Sequence, residues 1–264
     1  MPLINQPELL SRKPGAAPGI EHHELAALAV GKGSVTITCF DYSPTNFLRQ
    51  EIDDLATFLA DHRPEWSEVR WINVDGLSDI NAIHALATKY NLHPLAIEDV
   101  LHSQQRPKVE VYGGIANDYQ ARVFIVTRVP MFRNGGLQQE QMSLFVGHNT
   151  VLSFQSAHCE EVWDALVQRV NTQGSRLRSS DASFLAYSLL DAVIDQCFPI
   201  IEVYSDRAEE LEDLILEHPE HTLIHAIHEL KRGLLTLHRL LWPMREVVSV
   251  LQRDPHECMS ETTQ

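Results

Sequence analysis

Residues 93–112 read HPLAIEDVLHSQQRPKVEVY. Pro94 suits a first helical position, because its missing N–H has no partner there anyway. Leu95, Ile97, Val100 and Leu101 then supply an apolar face, and Glu98 and Asp99 set two carboxylates side by side. Pro107 stops any helix at Arg106, and Val109, Val111 and Tyr112 suit an extended strand. The stretch therefore predicts a short helix, a rigid basic break and a strand, which is the grammar of a mixed α/β layer.

Working outward, residues 1–33 are rich in Pro, Gly, Ala and His and are expected to form a flexible arm. Val35 to Phe40 alternates as a strand, and Asn46 to about Asp61 reads as a helix with Phe47, Leu48, Ile52, Leu55, Phe58 and Leu59 at helical spacing. Val69 to Val74 is a second strand, and Asp79 to Tyr90 a second helix. After the acidic-pair helix come four strand candidates: Val109–Tyr112, Ala121–Val129, Gln141–Val146 and Val151–Gln155, with turns at Gly135-Gly136 and His148-Asn149. A helix from Glu160 to about Val170 closes the unit near Gly174. The expected fold class is α+β: a mixed β-sheet flanked by helices, an αβα sandwich over residues 34–174, followed by a long antiparallel helical hairpin over 181–252.

The hairpin rests on heptads. One seam runs through Tyr187, Leu190, Ile194, Cys197, Ile201, Tyr204, Ala208, Leu211 and Ile215, alternating steps of three and four. Glu217-His218-Pro219-Glu220 breaks it. A second seam follows through Leu223, Ile227, Leu230, Leu234, Leu237, Leu241, Met244, Val248 and Leu251. A short Pro-containing link between two such helices predicts antiparallel arms, each roughly 45 Å long. Pro199 and Pro243 lie within the arms and predict kinks.

With 264 residues and a net charge of −15, the chain lacks the basic footprint of a nucleic-acid binder and favours cations or basic surfaces as partners. Its four cysteines show no C-x-x-C pair, which fits a reducing compartment. The most membrane-like stretch, Ala182–Ile201, carries Asp191 and Asp195, each costing about 2.5–3.5 kcal/mol near a bilayer centre. There is no G-x-x-x-x-G-K-[ST], G-x-S-x-G or H-E-x-x-H, and no enzyme is expected.

The string Glu98-Asp99 followed by Gln105-Arg106-Pro107-Lys108-Val109-Glu110 resembles the signature of the CorA family of divalent-cation transporters. Three further segments resemble the family in the expected order: EQMSLFVG (Glu140–Gly147), SLLDAVIDQCF (Ser188–Phe198) and LHRLLWPMREVV (Leu237–Val248). The resemblance spans about residues 70–252. It implies a cytosolic regulatory domain, on the cytoplasmic face of the inner or plasma membrane, that senses magnesium for a magnesium/cobalt ion transport protein. It also implies a homopentamer in the intact protein, and membrane attachment through C-terminal helices beyond a stalk that residues 253–264 would begin. On this reading the chain is a truncated one.

Within that frame the metal candidates are carboxylates. Glu98 and Asp99 point about 100° apart on a helix, which suits one hydrated magnesium shared between subunits rather than chelated by one. Helix-surface acids pairing weakly with Arg106 and Lys108 are the plainer alternative. An aspartate of the SLLDAVID segment, Asp191 or Asp195, is implied as a ligand of a second regulatory ion. Asp195, Glu202, Asp206, Glu209 and Asp213 form an acidic stripe on the first arm, opposite Lys231, Arg232, Arg239, Arg245 and Arg253 on the second. His218, His221, His225 and His228 cluster at the hairpin tip and could take zinc or cobalt, although exposed histidines are more often solvated. Magnesium is thus the expected regulatory ion, with zinc or cobalt the alternatives. The rival readings are a ZntB-like zinc transporter domain and a freestanding metal sensor or scaffold.

Overall fold

The computed structural model describes residues 35–102, 104–114, 119–133, 136–155, 160–217 and 223–263. Seven strands form one sheet: β1 (Thr36–Tyr42), β2 (Phe47–Glu51), β3 (Val69–Asp75), β4 (Lys108–Tyr112), β5 (Arg122–Arg133), β6 (Gly136–Val146) and β7 (Thr150–Gln155). Their spatial order is β2-β1-β3-β7-β6-β5-β4. Only the central β3–β7 pair is parallel, with Ile72 opposite Leu152; every other pairing is antiparallel. The parallel pair needs a crossover, and the chain from β3 to β7 supplies it through α2 (Ile80–Lys89), α3 (Pro94–Leu101) and the β4–β6 meander.

Strand alternation sorts the core into two layers. Val123, Ile125, Leu144, Val146 and Val151 face one side, together with α4 (Glu160–Asn171), α5 (Ala182–Asp195) and the C-terminal half of α7 (Leu223–Arg253). Phe124, Val126, Phe145, Leu152 and Phe154 face the other, under α2 and α3, with Leu55, Phe58 and Leu59 of α1 (Leu55–Ala60) packed against them. The αβα sandwich is therefore the observed architecture.

The helix expected over Asn46 to Asp61 is not formed as one element. Its first half is β2, hydrogen-bonded to β1 from Tyr42–Phe47 to Thr38–Glu51. Ser43-Pro44-Thr45-Asn46 closes this hairpin: Ser43 N donates to Asn46 O at 2.9 Å, and Asn46 N donates to Ser43 Oγ at 3.1 Å. Proline after the first turn position favours that geometry. Only α1 is helical, capped by Asp54, whose side chain accepts from Thr57 N.

β5 and β6 also run further than their apolar alternation suggested, pairing as far as Arg133–Gly136 through Pro130. Pro130 is tolerated because the pairing with β4 ends at Lys108–Val126, which leaves this part of β5 with one neighbouring strand. The extended ribbon reaches the hairpin, where Leu137 packs beside Cys197, Leu237 and Leu240, and Phe132 meets Tyr204 edge-on at 6.2 Å.

The first heptad seam divides. α5 ends at Asp195, and α6 (Cys197–Glu217) begins after Gln196. Pro199 falls in the first turn of α6, where its missing N–H leaves no hydrogen bond broken. α5 lies on the sheet, and α6 pairs with α7. Cys197 clusters with Leu237 and Leu240, and Tyr204 lies against Gly233, so residue numbers rise on one helix as they fall on the other. The arms are antiparallel. Pro243 sits inside an unbroken α7.

The second seam is displaced on the helix by one position in each heptad. Leu237, Leu240, Met244 and Val247 are buried, while Ile227, Leu234 and Val248 remain 41, 44 and 43 % exposed. Tyr204 of the facing helix occupies the space over Gly233, so the buried line passes through 233, 240 and 247 rather than 234, 241 and 248. Taken together, Ala182–Glu217 is long and apolar enough to cross a membrane, but half of its most apolar stretch is buried, and α5 supplies part of the sheet's core.

Candidate metal site

α3 is fixed at both ends. His93 caps it, its Nδ1 accepting from Leu95 N at 3.2 Å, with Pro94 in the first turn. The imidazole stacks on Tyr112 (centroids 4.5 Å, planes 18° apart) and touches Tyr119 at 4.8 Å. Burial lowers the His93 pKa against the pull of Glu110, which keeps Nδ1 available as an acceptor. At the other end His102 N donates to Glu98 O. Ala96, Ile97, Val100 and Leu101 are buried under the sheet, and this packing leaves Glu98 and Asp99 half-buried on the outer side.

Asp99 does not stand alone. Lys108 Nζ donates to Asp99 Oδ2 at 2.7 Å and to Glu110 Oε1 at 2.9 Å, and Tyr112 Oη donates to Glu110 Oε2 at 2.7 Å. Burial raises the Asp99 pKa despite its lysine partner. Burial pushes Glu110 the same way, but the bonds from Tyr112 and Lys108 hold its carboxyl below the usual range. Lys108 is drawn down by burial and raised more strongly by its two carboxylate partners. One ammonium thus serves two carboxylates beside Glu98. A divalent cation approaching Asp99 competes with that ammonium for the same oxygen. Magnesium, which keeps several waters and uses one or two carboxylates, suits such a donor set.

Gln141 locks this geometry and carries a role that no single-sequence pattern marks. Its Nε2 donates to the Asp99 carbonyl at 2.7 Å, and its Oε1 accepts from Gln105 N at 3.0 Å. Arg128 Nε donates to Gln105 O at 3.0 Å. The end of α3 and the Gln105-Arg106-Pro107 break are therefore tied to β6 and β5, 42 and 23 residues away in sequence. Gln141 lay within the quoted EQMSLFVG segment, but only its pairing reveals its task.

The other candidates lie elsewhere. Asp191, half-buried, and Asp195, exposed, are on α5, across the sheet from α3. One copy of the chain does not bring them to Glu98 and Asp99. His225 and His228 are exposed on α7; His218 and His221 lie outside the described residues. Among the described residues, no group of three or more His, Cys, Asp or Glu is arranged to hold a metal ion. Glu202, Asp206, Glu209 and Asp213 are all exposed on α6.

This fold is shared with two solved domains. The soluble domain of CorA from Methanocaldococcus jannaschii superposes with a TM-score of 0.67 at 19 % identity, over 89 % of this chain and 85 % of that one. The ZntB cytoplasmic domain from Vibrio parahaemolyticus gives 0.62 at 10 % identity, over 86 % and 82 %. The sequence goes further than the fold. Residues 66–264 match the family model of the CorA-like Mg2+ transporter protein, and the chain belongs to that family. The cobalt/magnesium transport protein CorA of Thermotoga maritima is 32 % identical over 247 residues, which is 93 % of this chain and 66 % of the relative. The chain thus spans just under two thirds of that relative's length.

Proposed function

We propose that this chain is the ion-sensing regulatory domain of a CorA-type magnesium/cobalt transporter, acting on the cytoplasmic face of the membrane as part of a homopentamer. Magnesium is the regulatory ion, held between copies with Glu98 and Asp99 of one subunit among its partners. The observation that carries this reading is Asp99, pinned at its carbonyl by Gln141 and at Oδ2 by Lys108. Its backbone is fixed, while its carboxylate is held by a cation that a divalent ion can replace. An ion bound between copies favours the closed arrangement only if it binds that state better than the open one. Asp191 and Asp195 on α5 are the proposed carboxylates of a second ion.

The test uses the chain with magnesium chloride, against sodium chloride at matched ionic strength. Millimolar magnesium is expected to raise the melting temperature and to increase the sedimentation coefficient, because a ligand that binds only the assembled native state stabilises it. The Glu98→Gln, Asp99→Asn double variant is expected to lose both responses. Unchanged magnesium responses in that variant would overturn the assignment. Asp191→Asn with Asp195→Asn tests the second ion by the same readouts.

A zinc reading, closer to ZntB, has one observation in its favour: His225 and His228 sit one turn apart on the exposed side of α7. It requires a zinc response that disappears when both are replaced by alanine.

A further inference from the structure

β5 opens on a buried cation. Arg122 is 5 % exposed, and its Nε and Nη2 both donate to the Tyr90 carbonyl, at 3.4 and 3.2 Å. Nη2 also donates to Gln120 Oε1 at 3.2 Å. Both acceptors are neutral, and no carboxylate is bonded to this guanidinium among the described residues. Burial lowers its pKa, yet an arginine this far above neutrality keeps its proton. The charge is therefore real and, among the described residues, has no counter-charge bonded to it, an arrangement that proteins seldom keep without a use.

The surroundings are shaped to this group. Nη1 lies beside Gly147, in the turn between β6 and β7, where a Cβ would collide with it. Arg122 lines a cleft of about 610 Å³, which lies in the range of small-molecule sites. Lys89, at the end of α2, stands exposed in the same cleft, as does His148; Tyr90 and Tyr119 add aromatic wall. Glu257 is the carboxylate of this lining, and it is engaged by His148, with Nε2 to Oε2 at 3.5 Å. A chain with a net charge of −15 thus concentrates two permanent cations in one cleft.

We propose that this cleft binds a small phosphate-bearing anion, with the phosphate group on Arg122 and Lys89. A guanidinium offers directed N–H donors and an ammonium a compact charge, and a phosphate has oxygens enough for both. The site stands apart from the carboxylates of α3, and its test excludes magnesium, so neither result bears on the other.

The experiment is a thermal-shift and calorimetric titration of the chain in magnesium-free buffer. The probes are inorganic phosphate and ADP, each against sodium chloride at matched ionic strength. A saturable response to inorganic phosphate supports the proposal and identifies the phosphate group as sufficient. A response to ADP alone supports it and identifies an organic phosphate. Lys89→Glu is expected to weaken binding at least tenfold, and Glu257→Gln to tighten it. Arg122→Gln is expected to abolish it; because that side chain is buried and its loss can prevent folding, the exposed Lys89 decides. Neither anion exceeding the chloride control, or wild-type affinity in Lys89→Glu, would overturn the proposal.

Discussion

Lys108 Nζ bridges Asp99 and Glu110, 2.7 Å from the first carboxylate and 2.9 Å from the second. The Asp99 side chain is only 15 % exposed, so the pair is shielded more than a surface bridge. Replacing Lys108 with Gln leaves two carboxylates facing each other. Stability is expected to fall by about 1–3 kcal/mol, the scale of a hydrogen bond to a charged group left unmade. Over the same change, the magnesium response is expected at lower magnesium concentration, because the ion no longer displaces an ammonium. Urea denaturation and a magnesium titration of the variant check the two halves. A variant needing more magnesium than wild type would show that Lys108 supports the ion rather than competing with it.

A second ion pair is structural. Asp41 Oδ1 accepts from Arg70 Nε at 2.9 Å and Ser67 Oγ at 2.8 Å, and Oδ2 accepts from Arg70 Nη2 at 2.7 Å. The side chains are 4 and 9 % exposed. Asp41→Asn strands a buried guanidinium and is expected to cost about 3–5 kcal/mol, whereas Ser67→Ala removes one hydrogen bond and is expected to cost about 1 kcal/mol. Chemical denaturation of both variants reads the difference; equal losses would mean that the charge of Asp41 is not what holds this corner.

What the sequence made legible follows from how local each signal is. Alternation in Val123–Val126 and Leu144–Val146 is written in neighbouring residues, and the two faces came out as the pattern required. Phe47 to Ile52 carries an apolar spacing compatible with a helix, but the Ser43-Pro44 turn pairs this segment with β1 as β2. The seam on α7 was displaced by a long-range fact, the bulk of Tyr204 over a glycine. Glu98 and Asp99 are visible as a pair, and for Asp99 the plainer alternative, an ion pair to Lys108, is present in the structure. The bonds of Gln141 and Arg122 were not visible, since their partners come from segments far apart in the chain.

Gly233 and Tyr204 make the hairpin testable at one point. Tyr204 is 4 % exposed, and a Cβ on Gly233 would collide with its ring and hydroxyl. Alanine is a better helix former than glycine by roughly 1 kcal/mol, but overpacking typically costs about 1–3 kcal/mol. Gly233→Ala is therefore expected to destabilise wild type and to be neutral or stabilising in a Tyr204→Ala background. The double-mutant cycle isolates this coupling. A loss of equal size in both backgrounds would remove Tyr204 as its cause.

Asp181 gives the pH dependence a definite sign. It caps α5, its Oδ1 accepting from Phe184 N at 3.0 Å and from Ser183 Oγ at 2.6 Å. Burial would raise its pKa, but these bonds prevail and lower it below the usual carboxylate value. A folded-state pKa below the unfolded one means that the carboxylate's stabilisation is full above the unfolded pKa and is lost as pH falls through the folded value. Asp99, raised by burial, has the opposite sign: its ionisation opposes folding as pH rises through its folded value. Asp181→Ala is expected to cost about 1 kcal/mol at neutral pH, with the difference from wild type shrinking once the medium is acid enough to protonate the native carboxyl. Asp181→Asn keeps a capping oxygen without the charge, so its stability relative to Asp181→Ala is expected to be independent of pH. Urea midpoints of the three proteins at neutral and acidic pH measure both. A wild-type advantage over Asp181→Ala that stays constant across that range would show that the cap acts through its geometry alone and that its charge contributes nothing.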